Sequence, residues 1–368
     1  MENTVVTHHF SGTYAEARRK FLDAVEQRGA STTETFVLPG HQGALGEELA
    51  IDVAYFGAPD ASRLLILSSG THGPEGFSGS GCQIAALHDT ELLARLAQPN
   101  IGLLLIHAVN PYGFSYLQRT NQDNVDLNRN HVDFDIPIPP NDVYTGWDRL
   151  AIPPSWPPTH EEESALAAYI EQYGGPQAFR KAMGSQQHCT PNGLFYGGQA
   201  PTWNNHTLRA ILRRYADNAS HIGWIDVHTG LGPYGHGEKI YAGRNAASDI
   251  ALARAWWGAD VFAPFDGESV STGASGPATS TVYGECPGAV AGLLGLEFGT
   301  RPDTEVMNSM RASQWLLRHP EAGASQRSEI RQQIRNAFYC DDSTWKGMVW
   351  GQTRVALLQA VVGLSRSQ

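Results

Sequence analysis

"RLLILSSGTHGPE", residues 63–75, decides how the chain is read. It opens as a continuous apolar run, the mark of a strand buried on both faces. Small residues follow, and then His72 and Glu75 stand three positions apart. A strand, a glycine-rich turn and a helix start account for the glycines. They do not account for a histidine and a glutamate.

Three other runs share that character: "IGLLLIHAVN" (101–110), "HIGWIDVH" (221–228) and "GLLGLEFG" (292–299). Upstream, "ETFVLPG" (34–40) and "LAIDVAYFG" (49–57) read as strands split by a turn. Apolar spacing predicts helices over 14–28 and about 78–97, 161–182, 203–218 and 246–258, with two or three more over about 304–362. Buried strands alternating with helices mean an α/β fold with a largely parallel sheet covered on both faces. No repeat or boundary divides the chain, so one domain is expected over 1–368, its C-terminal part helical.

The 368 residues are 41% hydrophobic and 17% charged, ordinary for a globular protein, with a net charge of -11. No basic block supports a nucleic-acid surface, and no apolar run reaches membrane-spanning length. The start "MENTVVTHHF" lacks the layout of a secretory signal. Cys82, Cys189, Cys286 and Cys340 are far apart and form no CxxC pair. Free thiols in a reducing compartment are therefore expected, in a soluble, cytoplasmic protein.

Each informative polar residue sits just past the carboxyl end of a buried strand, where open α/β sheets bind ligands. The first end carries His72 and Glu75. The second carries "NPYGFSYLQRTNQDNVDLNRN" (110–130), with Arg119, Asp126, Asn128 and Arg129. The third is "DVHTGLGPYG" (226–235), with His228, and the fourth is "LEFGT" (296–300), with Glu297. Two histidines and one glutamate make a three-ligand zinc site with a fourth position for water. Zinc lowers the pKa of such a water and polarises a carbonyl. A nearby carboxylate, Glu297, takes and delivers the proton, and an arginine stabilises the developing oxyanion. A second arginine grips a substrate carboxylate.

Each residue also has a plainer role open to it. His72 can satisfy a turn, Glu75 can favour a helix N-terminus, and His228 can be a core histidine. Arg119 and Arg129 can form surface ion pairs, and Asp126 can stabilise a turn. An unpaired carboxylate in an apolar strand is costly, which favours a function for Glu297. His107 and His236 are rival ligands; His107 reads as structural, and His236 lies in a glycine-rich loop. The proline- and aromatic-rich segment 135–160 reads either as a stiff surface excursion or as a wall or lid of the site.

HxxE, NPxG, an arginine, "DLNRN", a late histidine and a late glutamate together resemble the zinc carboxypeptidases of the carboxypeptidase A type. The form "NVDLNRN…DVHTGLGPYG…LEFGT" looks closest to a poorly characterised bacterial branch of that superfamily. The resemblance implies a mixed eight-stranded sheet between helices, with one zinc ion per chain at its edge. It implies His72, Glu75 and His228 as ligands, Glu297 as general base and Arg119 at the carbonyl. Asn128 and Arg129 would hold a carboxylate, and Asp126 would orient a ligand histidine. One departure stands out. The digestive enzymes carry a capping tyrosine about twenty residues before the catalytic glutamate. Here that region is "ESVSTGASGPATSTVYGE" (268–285), and its one tyrosine, Tyr283, is too close to Glu297. The Gly/Ser/Thr-rich loop is the remaining candidate for closing over a ligand.

Three functions compete. The first is a zinc-dependent amide hydrolase of carboxypeptidase type, acting on a peptide with a free carboxylate. The second is a zinc-dependent N-acyl amino acid deacylase, typified by aspartoacylase, toward which "DVHTG" leans. The third is a non-catalytic zinc or ligand-binding module, which needs no base at Glu297.

Overall fold

The computed structural model describes residues 4–98, 100–176, 178–179, 187–273 and 275–366. Eight strands lie among the described residues: β1 (Thr32–Gln42), β2 (Glu48–Phe56), β3 (Arg63–Ser68), β4 (Ile101–His107), β5 (His221–Tyr234), β6 (Gly237–Tyr241), β7 (Val261–Phe262) and β8 (Val290–Gly299). They form one sheet in the order β1-β2-β4-β3-β5-β8-β6-β7. The middle strands β4, β3, β5 and β8 run parallel. β2 joins β4, β1 joins β2 and β6 joins β8 antiparallel, and β7 lies parallel to β6. The mixed, largely parallel sheet expected from the sequence is the one observed.

The continuous apolar runs work as a strand buried on both sides requires. Successive side chains point to opposite faces. Leu65, Leu67, Leu103, Leu105, Ile225 and Leu294 therefore enter one core, with Phe21, Phe77, Trp257 and Trp345. Leu64, Ile66, Leu104, Ile106, Ile222 and Leu293 enter the other, with Leu208 and Ile211 from the helix Trp203–Tyr215.

Several boundaries differ from the sequence reading. The expected helix at 78–97 is two helices, Gly76–His88 and Thr90–Leu96. Asp89 breaks it by leaving helical geometry and accepting a hydrogen bond from the Leu92 N–H. β4 ends at His107, and β5 continues to Tyr234. β6 and β7 have only 5 and 2 residues and were not legible as strands. The helix expected at 161–182 spans His160–Gln172; the expected range runs past it into 177 and 180–182, outside the described residues. The C-terminal part is three helices, Asp303–Arg318, Ala324–Phe338 and Ser343–Arg366. None of the described helices is long and apolar enough to cross a membrane.

Residues 135–160 are not a bare surface excursion. They contain the helix Asp142–Ala151, capped by Asn141. Its Tyr144 and Trp147 are buried in a third core with Val306, Trp315, Ile334 and Phe338 of the C-terminal helices. The aromatic content of the segment is there to fill that core.

Candidate metal centre

β3 ends in a turn whose backbone favours glycine. Gly70 has φ 66°, in the left-handed region. At Gly73 an added Cβ would lie 2.0 Å from the Gly113 backbone. That close approach lets the Gly73 N–H reach the Arg119 carbonyl at 3.3 Å. The chain then makes one 3₁₀ turn, Gly73–Glu75, with His72 at its N-cap. Spacing of three within a single turn puts the two side chains on one side. His72 Nδ1 lies 2.9 Å from Glu75 Oε1. From β5, His228 Nδ1 lies 2.8 Å from Glu75 Oε2. All three residues are buried, and their donor atoms lie within 4.8 Å of one another.

The opposite nitrogen of each ring faces a carboxylate. His72 Nε2 is 3.1 Å from Asp126 Oδ1, and His228 Nε2 is 2.7 Å from Asp226 Oδ2. Asp226 is fixed in turn by Ser68 Oγ at 2.7 Å and Thr71 Oγ1 at 2.9 Å, both donating. Asp126 accepts from Arg119 Nε at 3.1 Å, Arg129 Nη1 at 2.7 Å and the Asn128 N–H at 3.0 Å. Arg119 also reaches Glu75 Oε1 at 3.5 Å. Its position is set by Asn110, which caps the short helix Pro111–Tyr116 and donates to the Arg119 carbonyl at 3.2 Å.

Burial opposes the ionised form of every acid here, but the neighbours overrule it at three of them. Arg129, Arg119 and His72 hold the Asp126 carboxyl well below its usual range. His72 and His228 hold Glu75 low, and His228 with Ser68 and Thr71 holds Asp226 low. Burial disfavours charge on His228 too, yet Asp226 and Glu75 raise its pKa well above the ordinary value. Glu297 goes the other way. Burial, and then the charge of Glu75, push it up to about 8. Among the described residues its Oε1 accepts only the Leu231 N–H, at 3.1 Å. Its Cα is paired with that of His228 across β5 and β8.

Residues 10–352 match the family described as a protein of unknown function, DUF2817. The chain belongs to that family. No curated protein matches this DUF2817 sequence. Among solved structures, it is similar to bovine thrombin-activatable fibrinolysis inhibitor in complex with tick carboxypeptidase inhibitor. The TM-score is 0.50 at 10% identity, covering 97% of this chain and 98% of that one. It is also similar to a metallo-carboxypeptidase from Burkholderia cenocepacia, at TM-score 0.43 and 11% identity over 93% and 67% of the two chains. An aspartoacylase family protein from Mesorhizobium loti gives TM-score 0.36 and 12% identity over 77% and 66%. The fold of this DUF2817 chain is carboxypeptidase-like.

The fold thus brings together His72, Glu75, His228, Glu297, Arg119 and Asp126. Asn128 joins them at the edge, its Nδ2 lying 3.4 Å from His228 Nε2 and its Oδ1 accepting from the Ala278 N–H at 3.0 Å. Arg129 is buried against Phe195, 4.8 Å from the ring centre, and its Nε has no partner among the described residues. The rivals lie apart. His107 bonds Ser80 Oγ at 2.9 Å and stacks on Phe21 inside the core. His236 is exposed in the turn between β5 and β6. Tyr283 is held by Tyr241 and the Arg244 N–H, outside the cluster. Asp226 escaped the sequence reading. Its signal was present in "DVH", since residues two apart in a strand share a face.

Proposed function

We propose that the protein is a zinc-dependent hydrolase of amide bonds, carboxypeptidase-like, acting on peptides with a free carboxylate. The observation that carries this is the donor set of His72, Glu75 and His228 beside Glu297, a half-buried carboxylate that forms no ion pair among the described residues. The donors fit the metal. Two imidazole nitrogens and a carboxylate converge within 4.8 Å, and the far nitrogen of each ring faces a carboxylate, that of His72 also lying 2.9 Å from Arg119 Nη2. Zinc held there supplies Lewis acidity, polarising a carbonyl and acidifying water.

The remaining steps belong to the chain. Glu297 takes the proton of the attacking water and passes it to the leaving nitrogen. Arg119, anchored on Asp126, offers its guanidinium to the oxyanion. Arg129, with an unused Nε against Phe195, receives the substrate carboxylate, and Asn128 lies beside it. All four cysteines are free, which supports a cytoplasmic location.

The test is mass spectrometry of zinc-loaded protein with mixed short peptides and N-acyl amino acids, Glu297→Gln beside it. Loss of single C-terminal residues, absent in the variant, is expected. Acyl release alone would make the protein a small-molecule deacylase. No turnover with zinc bound would leave a binding module.

A further inference from the structure

β6 was not legible in the sequence, and it brings a second acid to the site. Glu238 is the antiparallel partner of Glu297, and Glu297 is the parallel partner of His228. Paired residues share a face, so His228, Glu297 and Glu238 form a row across β5, β8 and β6. Two strand spacings put Glu238 roughly 10 Å from His228.

Glu238 is only 7% exposed. Its Oε1 accepts from Ser269 Oγ at 2.6 Å and the Val270 N–H at 3.0 Å, from the loop that runs on to Asn128's partner Ala278. Its Oε2 has no hydrogen-bond partner, and no cation pairs with it, among the described residues. The neighbouring Lys239 is committed elsewhere, to the Trp257 carbonyl and Asp260. A carboxylate this far removed from water, with no cation beside it, is costly. A loop staple alone would be made equally well by an amide.

We propose that Glu238 is a specificity residue that reads a cation on the substrate, so that the preferred residue beside the scissile amide carries a positively charged side chain. This rests on the hydrolase reading. Arg129 receives the anionic end and Glu238 the cationic one. The charge that Glu238 lacks in the protein is supplied by the ligand.

The test is calorimetric binding of lysine and of norleucine to the zinc-loaded protein. The two ligands differ by one ammonium group. Wild type is expected to prefer lysine by about tenfold or more, as a charge-assisted hydrogen bond provides. Glu238→Gln keeps an oxygen for Ser269 and Val270 but removes the charge, and should bring lysine to within about twofold of norleucine. An unchanged melting temperature for Glu238→Gln, against a lowered one for Glu238→Ala, separates loss of charge from loss of the staple. Equal binding in wild type, a preference that survives Glu238→Gln, or binding of neither ligand would overturn the proposal. Cleavage of neutral peptides without preference would overturn this subsite and leave the hydrolase standing. A lysine preference without any cleavage would do the reverse.

Discussion

Asp226 and Asp126 do for the two histidines what neither ring can do alone. An imidazole must present a bare nitrogen to a cation, and a carboxylate behind the ring keeps the proton on the far side. Replacing Asp226 by Asn removes that charge while keeping the size. Zinc affinity should fall about 10- to 100-fold, measured by competition with a chromophoric chelator. Glu297→Gln should retain zinc and lose about 10²–10⁴ in kcat. The protons on these groups also make metal binding pH-dependent. In the metal-free protein His228 holds its proton well above the ordinary pKa, and Glu297 holds its own up to about 8. A dication displaces both. Zinc binding near pH 7 should therefore release protons and tighten as pH rises, read by calorimetry in buffers of differing ionisation enthalpy. Stability of the metal-free protein follows the same sign. Glu297 binds a proton more tightly folded than unfolded, so its contribution is whole below 4.5 and is lost as pH rises to about 8. Glu297→Gln should flatten that part of a melting-temperature profile.

At the scale of elements, the site depends on how closely two turns approach. The β3 turn meets the Pro111–Tyr116 turn at Gly73, where a methyl group has no room against Gly113 and the Gln118 carbonyl. Gly73→Ala should destabilise the fold by about 1–3 kcal/mol in urea unfolding. It should also weaken zinc binding, because that contact sets the distance from Glu75 to Arg119. The strand ends themselves were legible: short apolar runs closed by glycine-containing turns, alternating with helical patterns, read as buried strands. β6 was not, since a short strand with a lysine and a glutamate carries little apolar signal. It becomes a strand only because β8 lies beside it.

In the whole molecule the donors come from the turn after β3 and from β5, 156 residues apart from His72 to His228. The same centre draws on Asp126 from the β4 side and on Glu297 from β8. A ligand that binds only this folded arrangement stabilises it. Zinc at about 100 times its Kd should add about 2.7 kcal/mol, seen as a raised melting temperature, and His228→Ala should remove the gain.

The sequence by itself determined the strands of the sheet centre, the strand ends where the candidate donors stand, and the pairing of His72 with Glu75. Those are local matters, set by a period of two and by a spacing of three within one turn. Only the tertiary structure decided that Asp226 stands behind His228, that residues 135–160 fill a core, and that Glu238 faces Glu297. Each depends on which distant segment packs alongside, and strand register between residues 59 positions apart is fixed by the burial of whole faces rather than by any neighbour in the chain.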